Sequence, residues 1–129
     1  MYKIAVAGTG YVGLVTGVCL AEVGHQVTCV DIDEEKVQLL KSGVSPIYEE
    51  GLEYLMQKND AEGRIEYTTD YASAYRDAAA IFIGVGTPEK PDGSADLTYI
   101  AEVARQIAES IEKDCLVVVK STVPVGTND

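Results

Sequence analysis

Three glycines near the start of the chain have a spacing that suits the binding of a diphosphate. Gly8, Gly10 and Gly13 lie in the hexad GTGYVG, which directly follows the apolar run IAVA at residues 4–7. The first glycine permits a tight turn, the second lets backbone approach a pyrophosphate, and the third lets the following helix pack close to the sheet. The N-terminal end of that helix offers unpaired N–H groups and the positive end of a dipole to the phosphates. Because glycine-rich hexads also occur in ordinary turns, the context of this one decides its meaning.

A single acidic residue, Asp31, supplies that context, because it closes a second apolar run 18 residues after Gly13. A carboxylate at the end of the second strand of a βαβ unit accepts hydrogen bonds from the hydroxyls of an adenosine ribose. The same carboxylate disfavours a 2′-phosphate, so the pattern favours NAD over NADP. Lys36, one helical turn further on, can approach the same ribose or the adenine. The structural alternative is that Asp31 caps a helix, a role for which Asp33 competes.

These residues need a scaffold of alternating strands and helices, which the hydrophobic pattern predicts. We predict strands at residues 2–7, 26–30, 65–68, 80–85 and 115–119 and helices at 11–23, between Asp33 and Gly43, around 52–56, at 70–78 and at 97–111. The strands are almost continuously apolar, which is typical of a parallel sheet that is covered on both faces. Their alternation with helices predicts a doubly wound α/β fold with strand order 3-2-1-4-5.

In such a sheet a ligand lies beyond the carboxyl ends of the strands, near the switch between strands 1 and 4. Small or polar residues follow strand 4, as Gly86-Thr87-Pro88, and strand 5, as Ser121-Thr122-Val123-Pro124. Both segments also have a plain structural interpretation. Thr87-Pro88 suits a turn, and Thr122 suits a helix cap ahead of Pro124. From the residues alone, both interpretations stay open.

The composition limits the partners and the location of the protein. The 129 residues form one domain, large enough to bury a core, with ten basic and 21 acidic residues and a formal net charge of −11. This charge argues against nucleic acid or an anionic membrane surface as a partner. Since neither a signal peptide nor a membrane-spanning run is recognisable, we expect a soluble, cytoplasmic protein.

The remaining residues with chemical potential have structural interpretations. The cysteines Cys19, Cys29 and Cys115 form no Cys-x-x-Cys pair, and we expect buried free thiols. The single histidine, His25, lies in a polar turn with no partner in view, and we assign it no chemistry. The acidic cluster at residues 31–35 is typical of a solvated helix start, so no metal site is predicted.

The whole chain resembles the NAD-binding domain of the UDP-glucose/GDP-mannose dehydrogenase family, which also includes UDP-N-acetylmannosamine dehydrogenases. The resemblance rests on KIAVAGTGYVGL at 3–14, CVDID at 29–33 with Lys36, SPIYEEGL at 45–52, GVGTPEKPDGSADL at 84–97 and VVVKSTVPVGT at 117–127. The run DGSADL at 92–97 is most similar to the UDP-glucose members. One departure is Glu50, where the family usually has proline.

The resemblance implies a Rossmann-type fold, NAD as the cofactor, and a role for each part of the site. It implies that the pyrophosphate is bound by the hexad, Gly8, Thr9, Gly10, Tyr11, Val12 and Gly13. It assigns the adenosine ribose to Asp31, with Lys36 nearby. It assigns the central part of the cofactor to Val85, Gly86, Thr87, Pro88 and Glu89, and the nicotinamide side to Ser121, Thr122 and Val123. In the family, a threonine at the position of Thr122 helps to order a water or hydroxyl near the substrate carbon.

The resemblance also implies a reaction. The family oxidises the C6 alcohol of a sugar such as UDP-glucose to a carboxylate, giving UDP-glucuronate for polysaccharide biosynthesis, with two NAD and a thioester on a cysteine. That cysteine lies in a second domain, in motifs that Cys19, Cys29 and Cys115 do not match. We therefore expect residues 1–129 to be the NAD-binding domain alone, inactive by itself, truncated before the last strand of its sheet and without the central helix and the C-terminal UDP-sugar-binding domain. We expect the full-length enzyme to be a homo-oligomer.

Three alternatives remain open at this point. The first is that the full-length enzyme acts on GDP-mannose or UDP-N-acetylmannosamine rather than on UDP-glucose. The second is that the chain is a non-catalytic module that senses NAD. The third alternative is a methyltransferase, because its glycine loop and acidic strand end also bind an adenosine ligand.

Overall fold

Five parallel strands form one sheet in a computed structural model of the chain, which describes residues 2–45, 50–85, 98–111 and 115–121. The strands are Lys3–Ala7 (β1), Gln26–Val30 (β2), Ile65–Thr68 (β3), Ala80–Val85 (β4) and Leu116–Ser121 (β5). Their order across the sheet is β3-β2-β1-β4-β5, and the described pairings are all parallel. The predicted strand order is confirmed, with β1 and β4 adjacent at the point where the chain reverses its progress across the sheet.

The described helices are Tyr11–Glu22 (α1), Glu34–Lys41 (α2), Leu52–Ala61 (α3), Tyr71–Arg76 (α4) and Thr98–Ser110 (α5). Asp33 caps α2, as predicted, because its carboxylate accepts a hydrogen bond from the backbone N–H of Lys36 at 3.3 Å. Gly24 follows α1 with a φ of 108°, which is typical of a glycine that ends a helix. Local signals of capping and termination therefore set the lengths of the first two helices.

The central strands β1, β2 and β4 are covered on both faces, which explains why they are almost continuously apolar. One core lies between the sheet and α1, α2 and α3, and it includes Val6, Leu14, Val18, Val27, Leu40 and Met56. A second core lies between the sheet and α4 and α5, and it includes Ala5, Ala7, Tyr75, Ile81, Ile83, Val103 and Ile107. Successive residues of β1 thus enter opposite cores, so this strand has no polar side.

Two elements extend beyond their predicted ends. α3 continues to Ala61, because the buried side of this helix continues as Asn59, a polar residue that the hydrophobic pattern could not count. The Asn59 amide donates to the Leu55 carbonyl at 2.8 Å and its oxygen accepts from Arg64 Nε at 3.0 Å. β5 continues to Ser121, because its last two residues pair with the end of β4. α4, by contrast, is shorter than predicted and ends at Arg76.

The prediction of three buried cysteines is wrong in two positions. Cys29 in β2 is fully buried, and burial raises the pKa of its thiol to about 12. Cys19 is exposed and Cys115 is half-buried. Cys19 misleads because α1 is apolar on nearly all sides, so its outward face carries the same residue types as its buried face.

His25 also differs from expectation, because it has a partner. Its Nδ1 accepts a hydrogen bond from the backbone N–H of Tyr2 at 3.1 Å, and the two rings lie 5.7 Å apart between centroids. This contact fastens the start of β1 to the turn before β2, at the edge of the sheet opposite to the glycine hexad.

Within the described ranges, no helix has both the length and the apolar character needed to cross a membrane.

Candidate functional site

The glycine hexad forms the loop between β1 and α1, at the carboxyl edge of the sheet. Gly8 has a φ of 91°, a backbone conformation that L side chains rarely adopt, and its N–H donates to the carbonyl of Val30 at 2.7 Å. Gly10 is the N-cap of α1, and a Cβ placed on it would meet no heavy atom within 4 Å. Gly8 therefore makes the turn and Gly10 faces open space, as their predicted roles require.

Gly13 lies where the first turn of α1 touches the sheet. A Cβ on Gly13 would lie 2.0 Å from the carbonyl oxygen of Gly8, and a Cβ on Gly84 of β4 would lie 2.4 Å from the Cα of Gly13. One turn further along, a Cβ on Gly17 would lie 2.8 Å from the Cys29 sulfur. Glycines on both sides of the contact thus let the start of α1 approach the strands directly.

Gly84 was not singled out from the sequence, although a signal was present. A glycine inside an apolar strand weakens that strand and often marks a place where other backbone comes close. In this chain the approaching backbone is that of Gly13, so Gly84 shapes the glycine loop from the neighbouring strand.

The N-terminal end of α1 can hold an anion. The first hydrogen bond of the helix runs from the Leu14 N–H to the Gly10 carbonyl at 2.9 Å. The N–H groups of residues 11–13 precede it and have no acceptor within the helix. The first turn of α1 contains no acidic residue, so its own side chains do not oppose negative charge at this end.

Asp31 directly follows β2 and lies beside this loop. Its Oδ2 accepts hydrogen bonds from Thr9, at 2.5 Å from the hydroxyl and 3.1 Å from the backbone N–H. Lys36 Nζ lies 3.6 Å from the same oxygen. The other carboxylate oxygen of Asp31, Oδ1, accepts a hydrogen bond from the backbone N–H of Asp33 at 3.0 Å. Asp33 rather than Asp31 caps α2, so the structural alternative for Asp31 is not what the structure shows.

The surroundings of Asp31 keep it ionised. Burial acts to raise the pKa of this carboxyl, but the hydrogen bonds from Thr9 and Asp33 and the ammonium of Lys36 outweigh burial and lower the pKa below its ordinary value. An ionised carboxylate only accepts hydrogen bonds. Asp31 is therefore a fixed acceptor next to the loop, as the binding of ribose hydroxyls requires.

A cleft of about 110 Å³ lies next to Asp31, between the carboxyl ends of β1 and β2 and the helices α4 and α5. Apolar side chains form much of its wall, namely Ala7, Val30, Ile32, Tyr75 and Val103, and Glu102 and Gln106 add polar groups. Ile32 is 82% exposed although it is aliphatic. No sequence motif marks this cleft, because its residues come from four separate elements.

The other predicted contact residues are only partly described. Val85 is the last residue of β4 and pairs with Ser121, the last residue of β5, so both lie at the same edge of the sheet as the glycine loop. Ser121 belongs to β5 itself, which corrects its predicted place after the strand. The predicted contacts at Gly86, Thr87, Pro88, Glu89, Thr122 and Val123 lie outside the described residues.

Sequence comparisons identify relatives along nearly the whole chain. Residues 2–129 match the family described as the UDP-glucose/GDP-mannose dehydrogenase family, NAD binding domain. The chain is 56% identical over 127 residues to UDP-glucose 6-dehydrogenase YwqF of Bacillus subtilis, a match that covers 98% of the chain and 29% of that relative. It is 51% identical over 128 residues to UDP-glucose 6-dehydrogenase of Rhizobium meliloti, with the same two coverages, 98% and 29%.

Solved structures agree with the sequence relatives. A UDP-glucose dehydrogenase from the hyperthermophilic archaeon Pyrobaculum islandicum superposes with a TM-score of 0.88 at 42% identity, over 98% of this chain and 30% of that one. GDP-mannose dehydrogenase from Pseudomonas aeruginosa, in a ternary complex, superposes with a TM-score of 0.87 at 44% identity, over 94% and 28%. The chain thus spans less than a third of the length of these relatives.

Proposed function

The chain belongs to the UDP-glucose/GDP-mannose dehydrogenase family as its NAD-binding domain, and we propose that the complete protein oxidises UDP-glucose to UDP-glucuronate with two NAD. Three relatives that share 51–56% of the residues are named UDP-glucose 6-dehydrogenase. The solved UDP-glucose and GDP-mannose dehydrogenases share 42% and 44% and do not separate the two substrates. The three more similar relatives therefore favour UDP-glucose as the substrate. The methyltransferase and NAD-sensing alternatives find no support among these relatives.

The observation that supports the NAD site is that the open face at Gly10 lies next to the Asp31 carboxylate. The pyrophosphate of NAD would lie against the N–H groups at the start of α1, and the adenosine ribose would donate to Asp31. The adenine would enter the cleft beside Ile32. These three subsites follow one another in the order of the parts of adenosine diphosphate, so one molecule reaches all of them.

The nicotinamide half of NAD would extend from the loop toward the ends of β4 and β5. We propose Val85, Gly86, Thr87, Pro88 and Glu89 as contacts of its central part and Ser121, Thr122 and Val123 as contacts near the nicotinamide. Hydride transfer is the chemistry of the cofactor itself. The residues of this chain hold and orient the cofactor, and Thr122 is proposed to face the reacting carbon.

The three cysteines of this chain are poorly placed for covalent catalysis. Cys29 is buried beneath α1 with a raised pKa, which is typical of an inert thiol. Cys19 lies two turns along α1 from the glycine loop, about 12 Å by helix rise. Cys115 precedes β5, at the edge of the sheet opposite to the loop. We propose that the reacting cysteine and the sugar-binding residues belong to the length that the relatives have beyond the matched region.

The substrate proposal predicts a specific pattern of NAD reduction. The complete protein that carries this sequence is expected to form NADH with UDP-glucose, two NADH for each sugar, and to do so poorly with GDP-mannose. Residues 1–129 alone are expected to form none with either sugar, because the cysteine is missing. Absorbance of NADH measures both results.

Two outcomes of this assay would contradict the proposal. A complete protein that prefers GDP-mannose would overturn the substrate, and turnover by residues 1–129 alone would overturn the assignment of catalysis to other parts of the protein. A homo-oligomeric assembly and a cytoplasmic location stay predictions.

A further inference from the structure

Thr9, the second residue of the hexad, has no exposed surface. Its side chain is directed at Asp31 rather than at the open face of the loop, and its hydroxyl donates to Oδ2 at 2.5 Å. Its backbone N–H donates to the same oxygen at 3.1 Å. A hydrogen bond from a hydroxyl to an ionised carboxylate is among the stronger ones in proteins. Within the structure, the hydroxyl and the N–H of Thr9 therefore act on the carboxylate, and a contact of Thr9 with the pyrophosphate stays a prediction.

The two carboxylate oxygens of Asp31 are occupied unequally. Oδ2 accepts both hydrogen bonds from Thr9 and also faces the Lys36 ammonium at 3.6 Å. Within the described part of the chain, Oδ1 accepts one hydrogen bond, from the Asp33 N–H at 3.0 Å. Because a carboxylate oxygen has two lone pairs, Oδ2 is filled while Oδ1 keeps room for one more donor.

We propose that Thr9 is a positioning residue, whose hydroxyl fixes the Asp31 carboxylate so that Oδ1 is presented to the adenosine ribose. The proposal rests on the proposed NAD site and names the group that orients its acceptor. Lys36 makes such a group necessary, because its Nζ lies 3.6 Å from Oδ2 and attracts this oxygen. Without the Thr9 hydroxyl, Oδ2 would lose its shortest contact, and rotation of the carboxylate toward the cation would change the direction in which Oδ1 is presented.

A ligand cycle separates this role from a general effect on the fold. NAD and an NAD analogue whose adenosine ribose lacks both hydroxyls are titrated into the wild-type chain and into Thr9→Val, Thr9→Ala and Thr9→Ser variants. Thr9→Val keeps the shape and the backbone donor but removes the hydroxyl, and we expect about tenfold weaker NAD binding. Thr9→Ser restores the hydroxyl and is expected to bind NAD within about twofold of the wild type. The analogue is expected to bind all variants alike, because it has no hydroxyl for Asp31 to accept.

Each other outcome overturns a defined statement. Equal binding of NAD by wild type and Thr9→Val overturns the positioning role while the NAD site stands. Equal weakening of NAD and of the analogue by Thr9→Val and Thr9→Ala shows a structural role and also overturns it, as does a failure of both variants to fold by circular dichroism. If the wild-type chain does not bind NAD, the proposed function fails, and this proposal fails with it.

Discussion

Asp31 shows how a single carboxylate is kept ionised beside the glycine loop, as the proposed ribose site requires. Its carboxylate is mostly buried, which alone would favour the neutral form, yet three donors and one cation stabilise the charge. Because its pKa in the folded protein lies below the ordinary value of 3.8, the ionised carboxylate stabilises the fold at neutral pH. That contribution is present above the unfolded pKa and is lost as the pH falls through the lowered folded pKa.

The charge of Lys36 should be measurable at Asp31. Lys36→Met removes the nearby cation, so we expect the pKa of the Asp31 carboxyl to rise, while Lys41→Met at the far end of α2 leaves it unchanged. A carbon-detected NMR titration of the carboxyl measures both. A pKa of Asp31 at or above its ordinary value in the wild type, or an equal shift in both variants, would contradict the described network.

Residues that meet a local backbone requirement were predictable from the sequence, whereas a side-chain hydrogen bond between distant residues was not. The hexad and Asp31 are predictable, because a strand-to-helix turn and the end of a strand each have local requirements. The placement of Lys36 follows from helix geometry, since it lies in the first turn of α2, three residues after the cap Asp33. The hydrogen bond from Thr9 to Asp31 joins residues that are 22 positions apart and depends on two rotamers, which no local pattern specifies.

At the scale of elements, the contact between α1 and β4 determines the shape of the loop. Gly13 and Gly84 meet with backbone against backbone, so the N-terminal end of α1 is held close to the switch between β1 and β4. Gly10 stands at the same end of the helix but faces open space. We therefore expect the two glycines to have separable roles, Gly84 in the fold and Gly10 in the proposed binding of the pyrophosphate.

Alanine substitutions at these two positions should affect different properties, stability at Gly84 and NAD binding at Gly10. Gly84→Ala places a Cβ 2.4 Å from the Gly13 Cα, and we expect a loss of about 1–3 kcal/mol in the free energy of unfolding. Gly10→Ala meets no atom within 4 Å, and its φ of −71° is allowed for alanine. It should lower the free energy of unfolding by less than about 1 kcal/mol, the cost of alanine at an N-cap, and yet abolish the close approach of a pyrophosphate.

Urea unfolding and NAD titration together measure this contrast. Equal stability losses in the two variants, or unchanged NAD binding by Gly10→Ala, would contradict the assigned roles of the glycines.

Element types and order were predictable because the central strands are buried on both faces and because Asp33 and Asp70 cap the helices α2 and α4. The ends of elements were less predictable. α3 continues past the hydrophobic pattern because Asn59 is buried and bonded to backbone, and β5 continues because β4 pairs with it. The burial of Asn59 depends on the packing of α3 in the fold, and the end of β5 depends on β4, so neither is visible in a local window of sequence.

At the scale of the whole molecule, binding of an anionic cofactor must occur on a strongly acidic protein. The net charge of −11 opposes the approach of NAD, whereas the helix N-terminus and the backbone N–H groups of the loop attract its diphosphate at short range.

The cleft beside Asp31 could not be predicted from the sequence. It forms only when β1, β2, α4 and α5 meet, so it is a property of the assembled fold.

The central claim is that this chain holds NAD through its glycine loop and Asp31, and calorimetric titration with NAD tests it most directly. We expect the wild type to bind one NAD per chain. We expect Asp31→Ala to bind NAD at least about tenfold more weakly than the wild type, because the ribose loses its charged acceptor. Glu35→Ala, which removes the same charge from the exposed side of α2, should bind NAD like the wild type. Absence of binding to the wild type, or equal binding by the wild type and Asp31→Ala, would contradict the claim.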